Sequence, residues 1–253
     1  LRAPVRALLR LALGGRGARL VLQNPDDAAL FERAGLVDAR NVRLIAGSGV
    51  DCSRFRSLRE PLSGAGPARV MLAARVLWDK GVAEFVEAAR QLRREGRGVV
   101  FQLAGQPDPG NPAAVPEADL RRWQDEGLVQ WLGHVDDMPA LLGGVDIVVL
   151  PSYREGLPKS LIEAAACERP LVTTDVPGCR EVVRDGVDGL LVPARDATAL
   201  ALAIGRLLDD PAYARSLGQA ARQRALEQFD DRIVVRRTML VYEELFARGA
   251  SRG

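Results

Sequence analysis

Hydrophobic and polar positions follow two periods along this chain. Short, nearly continuous apolar runs recur, and between them lie longer stretches whose apolar residues return every third or fourth position. The first pattern suits strands buried on both faces, and the second suits amphipathic helices.

At the start, Leu, Val and Ala interleave with Arg2, Arg6, Arg10 and Arg16, which predicts a basic amphipathic helix from Leu1 to about Arg19. Such a helix suits a membrane surface or an ordinary domain surface with a solvated face. Arg19 to Gln23 then predicts a strand, Pro25 to Ala34 a helix opened by Asn24, and Val42 to Ala46 another strand. That is a β-α-β unit without earlier partners. The segment Ser57 to Pro67, SLREPLSGAGP, has the Pro, Gly and Ser content of a linker.

Beyond it, strands are predicted at Val70 to Ala73, Val99 to Ala104, Val129 to Leu132, Asp146 to Pro151 and Pro170 to Thr174. Helices are predicted at Val82 to Glu95, Glu117 to Glu126, Met138 to Leu142 and Ser160 to Cys167. This alternation implies an α/β fold, a doubly wound, Rossmann-like parallel sheet covered on both faces. Ligands in such folds bind at the carboxyl ends of the strands, here the loops after Ala73, Leu103, Leu132, Leu150 and Thr174. The closing helices, Ala197 to Leu208, Ala212 to Phe229 and Ile233 to Ala247, show apolar faces and no obvious chemistry.

Two of those loops carry charges at telling spacings. After the Asp146 strand comes PSYREGLPKSLIE, Pro151 to Glu163, with Glu155 and Glu163 spaced E-x7-E. Pro158 suits a first helical turn, so the backbone N–H groups of Gly156 and Leu157 would point out of a helix N-terminus, an arrangement suited to phosphate. Glu163, among apolar helix residues, would accept from neutral hydroxyls such as those of a ribose. The other loop is RVLWDKG, in which Arg75 and Lys80 can set a guanidinium fork and an ammonium around a diphosphate. Taken singly, each loop reads equally well as a solvated surface turn; their placement at strand ends favours a common site.

Composition narrows the chemistry further. With 35 basic and 33 acidic residues and a formal charge of +2, there is no basic stripe and no nucleic-acid partner is expected. Three cysteines, Cys52, Cys167 and Cys179, form no disulfide or zinc framework and suit a reducing cytoplasm. A single histidine, His134, argues against a Ser-His-Asp triad or a histidine-rich metal centre. No apolar run reaches the roughly 20 residues of a spanning helix, and no signal peptide pattern opens the chain.

Together GSGVD at Gly47 to Asp51, RVLWDKG, PSYREGLPKSLIEA and VTTDVPGCREVVRDGVDGLLVP resemble the retaining glycosyltransferase family 4, of GT-B fold. The resemblance implies two Rossmann-like domains with the donor sugar nucleotide in the second. It assigns Arg75 and Lys80 to the donor diphosphate and Glu155 to the transferred sugar. Gly156 and Leu157 would offer backbone N–H groups, Glu163 would hold the ribose, and His134 and Val135 would lie beside the base. Arg75, Lys80 and Glu155 are thus the expected catalytic set, acting without a metal or other cofactor.

The stretch EGLPKSLIEAAACERPLVTTDVPGCREVV is similar to bacterial enzymes that extend lipid-linked oligosaccharides or polysaccharides. It implies a UDP-linked hexose or N-acetylhexosamine donor, a lipid-linked saccharide acceptor, and a cytoplasmic protein in peripheral contact with the inner membrane through an upstream domain. On this expectation residues 1–57 end the acceptor domain, 58–67 link, 68–229 bind donor, and 230–253 cross back. The family's glycine-rich loop and acceptor-side histidine would lie upstream of Leu1. The alternatives are a non-catalytic sugar-nucleotide-binding subunit and an epimerase of the same fold. A nicotinamide-dependent dehydrogenase is disfavoured, because no G-x-G-x-x-G follows the Val70 strand.

Overall fold

The structure, a computed structural model, describes residues 3–15, 17–58, 60–62, 64 and 66–250, the side chains of 248–250 excepted. The expectations for Leu1, Arg2, Arg16, parts of the linker and the last three residues therefore lie outside the described residues.

Two parallel sheets organise the chain. The first joins β1 (Leu20–Leu22) to β2 (Val42–Leu44), with α2 (Pro25–Arg33) as the crossover. Asn24 caps α2, its side chain accepting from the Asp27 N–H at 2.7 Å. The N-terminal helix α1 (Ala3–Leu13) stops at Gly14 and Gly15, short of the expected Arg19. Arg6 and Arg10 donate to the carbonyls of Ala34 and Gly35, so these arginines cap the C-terminal end of α2.

The second sheet has six strands, in order β5-β4-β3-β6-β7-β8. They are β3 (Ala68–Ala73), β4 (Val99–Ala104), β5 (Gln130–Gly133), β6 (Ile147–Leu150), β7 (Leu171–Thr174) and β8 (Leu190–Val192), all paired in parallel. Between them lie α3 (Val82–Arg94), α4 (Glu117–Asp125), α5 (Met138–Gly144), α6 (Lys159–Ala166) and α7 (Cys179–Val182). The chain closes with α8 (Ala197–Asp209), α9 (Pro211–Arg224), a π-helical turn over Ala225–Phe229, and α10 (Asp231–Ala250).

Alternation within each central strand builds the core. Val70, Leu72, Ile147 and Val149 pack on one face with Phe85, Leu92, Leu200 and Ile204; Met71, Ala73, Val148 and Leu150 pack on the other with Leu161 and Ile162. The described part of the linker is pinned. Leu58 N–H donates to Gly143 O, and Leu62 N–H to the buried Asp146 carboxylate.

Two further expectations need correction, and two short elements appear that the sequence did not predict. Strand β8 and helix α7 were not anticipated, since three and four residues are too few to show a period. The helix expected over Ala212 to Phe229 changes register at Ala225, where the π turn begins. Pro158 is the residue before α6 rather than part of its first turn, with φ −73° and ψ 106°.

Helix α10 runs back to the first sheet. Glu244 accepts from Arg19 and Arg43, each with a closest approach of 2.6 Å, and Val50 exchanges backbone bonds with Phe229 and Asp231.

Candidate functional site

The strand order reverses beside β3, with β4 on one side and β6 on the other. In an open parallel sheet the loops that leave such neighbours diverge to opposite faces and open a crevice at their carboxyl ends. The loop after β3 carries Arg75 and Lys80, and the loop after β6 carries Glu155 to Pro158. Both charged loops of the sequence therefore flank one crevice.

Lys80 Nζ lies 2.5 Å from Glu155 Oε1, with both side chains mostly buried. Several contacts force this pairing. Ser152 Oγ and Tyr153 N–H both donate to Asp79 O, and Thr174 Oγ1 donates to Ser152 O. The Tyr153 hydroxyl donates to Glu84 at 2.8 Å, and the Arg195 guanidinium stacks 4.3 Å above its ring. Burial and the neighbouring Glu84 carboxylate push the Tyr153 hydroxyl up to about 12, so it stays a donor at neutral pH.

Two glycines allow the backbones to meet. Gly81 has φ +73°, and a Cβ there would stand 2.1 Å from Pro151 O. Gly178 has φ +85°, and a Cβ there would stand 2.4 Å from Glu155 O. Only glycine fits either place.

On the β4 and β5 side the crevice widens into a cleft of about 510 Å³ whose lining includes Arg75, Asp108, His134, Val135, Ser160 and Glu163. Small-molecule sites have roughly this size. Ala73, Ala104 and Gly105, which have minimal side chains, also line the cleft. Arg75 is exposed and pairs with Asp108 at 3.3 Å, away from the Lys80–Glu155 pair. His134 is exposed beside Asp136. Glu163 is mostly buried, 3.6 Å from Lys159, and burial raises its carboxyl above the ordinary range.

Helix α6 begins without a side-chain cap. Among the described residues neither the Gly156 nor the Leu157 N–H donates to a protein acceptor. Their N–H groups, with those of Lys159 and Ser160 at the start of α6, are available to an anion, whereas the Leu161 and Ile162 N–H groups donate to Pro158 O. Among the described residues no group of three or more His, Cys, Asp or Glu is placed to hold a metal ion.

The eight residues singled out in the sequence thus fall into two neighbouring groups. Arg75, His134, Val135 and Glu163 share the cleft, while Lys80, Glu155, Gly156 and Leu157 form the wall beside it. Sequence reasoning missed Ser160 and Met138 as cleft residues, Tyr153 and Ser152 as anchors, and Asn24 as a neighbour of Gly156. Only Ser160 carried a usable signal, three positions before Glu163 on the same helix.

Residues 67–210 match the family described as Glycosyl transferases group 1. The chain belongs to the group 1 glycosyl transferases. A curated relative, the N,N'-diacetylbacillosaminyl-diphospho-undecaprenol alpha-1,3-N-acetylgalactosaminyltransferase of Campylobacter jejuni, is 38% identical over 176 residues, 70% of this chain and 44% of that protein. The chain spans about half the length of the curated relatives it matches.

Among solved structures, sucrose-phosphate synthase from Thermosynechococcus elongatus superposes with a TM-score of 0.81 at 27% identity, covering 96% of this chain and 61% of that one. The Anabaena protein HepE, solved in complex with UDP, also gives 0.81, at 23% identity over 97% of this chain and 70% of that one. The fold is therefore α/β and Rossmann-like, a parallel sheet flanked by helices that matches GT-B glycosyltransferase structures. No described helix is long and apolar enough to cross a membrane.

Proposed function

We propose that this chain is the nucleotide-sugar-binding half of a retaining hexosyltransferase of glycosyltransferase family 4. Its donor is a UDP-linked hexose or N-acetylhexosamine, and its acceptor a lipid-linked oligosaccharide or polysaccharide. The observation that carries the reading is the Lys80–Glu155 contact at the strand-order reversal, beside a cleft whose lining includes Glu163.

On this reading the base lies by His134 and Val135, and Glu163 accepts from the ribose hydroxyls. The diphosphate meets Arg75, Lys80 and the N–H groups of Gly156 and Leu157, while Glu155 accepts from hydroxyls of the transferred sugar. As the bond from the anomeric carbon to the diphosphate oxygen breaks, charge gathers on the leaving group. The two cations and the α6 N-terminus stabilise that charge, which is the task a divalent metal performs in other transferases. Glu155 orients the sugar, and a lipid-linked acceptor approaches from the N-terminal side.

Residues 1–57 end the acceptor domain, 58–67 link, 68–229 bind donor, and 230–253 cross back, a division supported by the Glu244 pairs with Arg19 and Arg43. The UDP complex of HepE supports the choice of nucleotide, and the name of the Campylobacter relative supports a lipid-linked acceptor. The protein then works in the cytoplasm, peripheral to the inner membrane.

Mass spectrometry tests the reaction in the protein carrying its acceptor domain, since the donor half alone is expected to bind without transferring, using UDP-glucose and UDP-N-acetylhexosamines with a polyprenyl-diphospho-saccharide. Transfer predicts UDP and an acceptor longer by one sugar. An isomerised donor without UDP would assign an epimerase instead, and donor bound but unchanged would assign a binding subunit.

A further inference from the structure

We infer that Asn24, from the N-terminal β-α-β unit, is a positioning residue for the donor diphosphate, acting through the Gly156–Leu157 peptide. The inference rests on the donor-site reading above.

Asn24 is fully buried, and its carboxamide has three partners. Its Oδ1 accepts from the Asp27 N–H at 2.7 Å, and its Nδ2 donates to Asp27 Oδ2 at 2.9 Å and to Gly156 O at 2.8 Å. Two acceptors at the nitrogen and one donor at the oxygen fix the orientation of the amide. The first of these bonds is an ordinary helix cap. The last crosses 132 positions of sequence to the loop after β6.

That carbonyl is held from a second side. A Cβ on Gly178 would stand 2.8 Å from Gly156 O, so the Pro177–Gly178 turn backs the same oxygen. A trans peptide is planar, with its C=O and N–H antiparallel, and the described chain contains no cis bond. Fixing Gly156 O toward Asn24 therefore turns the Leu157 N–H the opposite way. Among the described residues that N–H has no protein acceptor, and it precedes the uncapped start of α6.

Other contacts hold the two units in this register. Arg154 pairs with Asp27, Arg180 Nη1 lies 3.6 Å from Asp26, and a Cβ on Gly156 would come within 2.8 Å of Gln23 Oε1. The ion pairs are partly exposed and contribute little by themselves. Asn24 is the only one of these residues whose bond sets the direction of a backbone donor.

The test separates the cap from the reach. Asn24→Ser keeps an oxygen that can cap α2 but is too short for Gly156, and Asn24→Asp keeps the shape and the capping oxygen while setting a second carboxylate beside Asp27 and an acceptor toward Gly156 O. Calorimetry measures each variant with UDP and with UMP. Both variants lose the Nδ2 bonds to Asp27 Oδ2 and to Gly156 O; the first lies within the cap and bears on folding stability, while loss of the second predicts UDP binding weakened roughly 3- to 10-fold with UMP binding nearly unchanged. If UDP affinity matches wild type, or UDP and UMP weaken alike, Asn24 is only scaffold and the inference fails. If wild type binds neither UDP, GDP nor ADP, the donor-site reading fails first. Should the serine variant not fold, the aspartate variant is read by the same criteria; misfolding of both assigns Asn24 to the scaffold and also overturns the inference.

Discussion

Lys80 and Glu155, 75 positions apart, meet at 2.5 Å where the loops after β3 and β6 converge. Each is mostly shielded from water, so each charge depends on the other. Removing one partner leaves an uncompensated charge. Lys80→Met or Glu155→Leu alone should cost about 3 kcal/mol, and the double variant should recover much of the combined loss. Urea unfolding of the four proteins gives the coupling, and strict additivity would mean that the contact is incidental.

The convergence also depends on Gly81. A side chain there would meet Pro151 O at 2.1 Å from a backbone that already has positive φ. Gly81→Ala should destabilise the fold by more than about 2 kcal/mol, lowering Tm by roughly 5–8 °C in a chain of this size. Scanning calorimetry measures it.

Glu163 supplies a pH signature. Burial raises its carboxyl above 4.5, so its charged form costs the fold some stability at neutral pH, and that cost is relieved as pH falls through the raised value. Ribose hydroxyls need the carboxylate as acceptor. Nucleotide affinity should therefore begin to fall on acidification at a pH above that of an ordinary glutamate. Kd measured across mildly acidic buffers should show the fall in wild type and a flat response in Glu163→Gln.

Much of this was legible locally. The apolar run Ile147–Leu150 followed by PSYREGLP marks a strand end and an anion loop within a dozen residues, and each central strand carries its period openly. Pairing was less accessible. Nothing in the period of Val70 or Val148 says that β3 lies beside β6, and the Asn24–Gly156 bond joins two segments whose local roles, a cap and a loop, are complete without each other. Strand β8 was hidden by length alone.

The cysteines give a check on packing around the site. Cys52, Cys167 and Cys179 are all buried, which pushes their thiols up to about 11, 12 and 11. Protonated, enclosed thiols react slowly. Ellman's reagent near neutral pH should titrate almost none in the native protein and all three in denaturant. Rapid reaction of Cys179, behind the Glu155 loop, would contradict the packing described.

The most direct test of the donor site is calorimetric titration of UDP into wild type, Lys80→Ala and Glu163→Ala. The two residues lie in different parts of the site, one on the wall and one in the cleft. Binding by wild type, weakened about 10-fold or more by each substitution, is the predicted result. Failure of wild type to bind, or equal affinity in all three proteins, would contradict it.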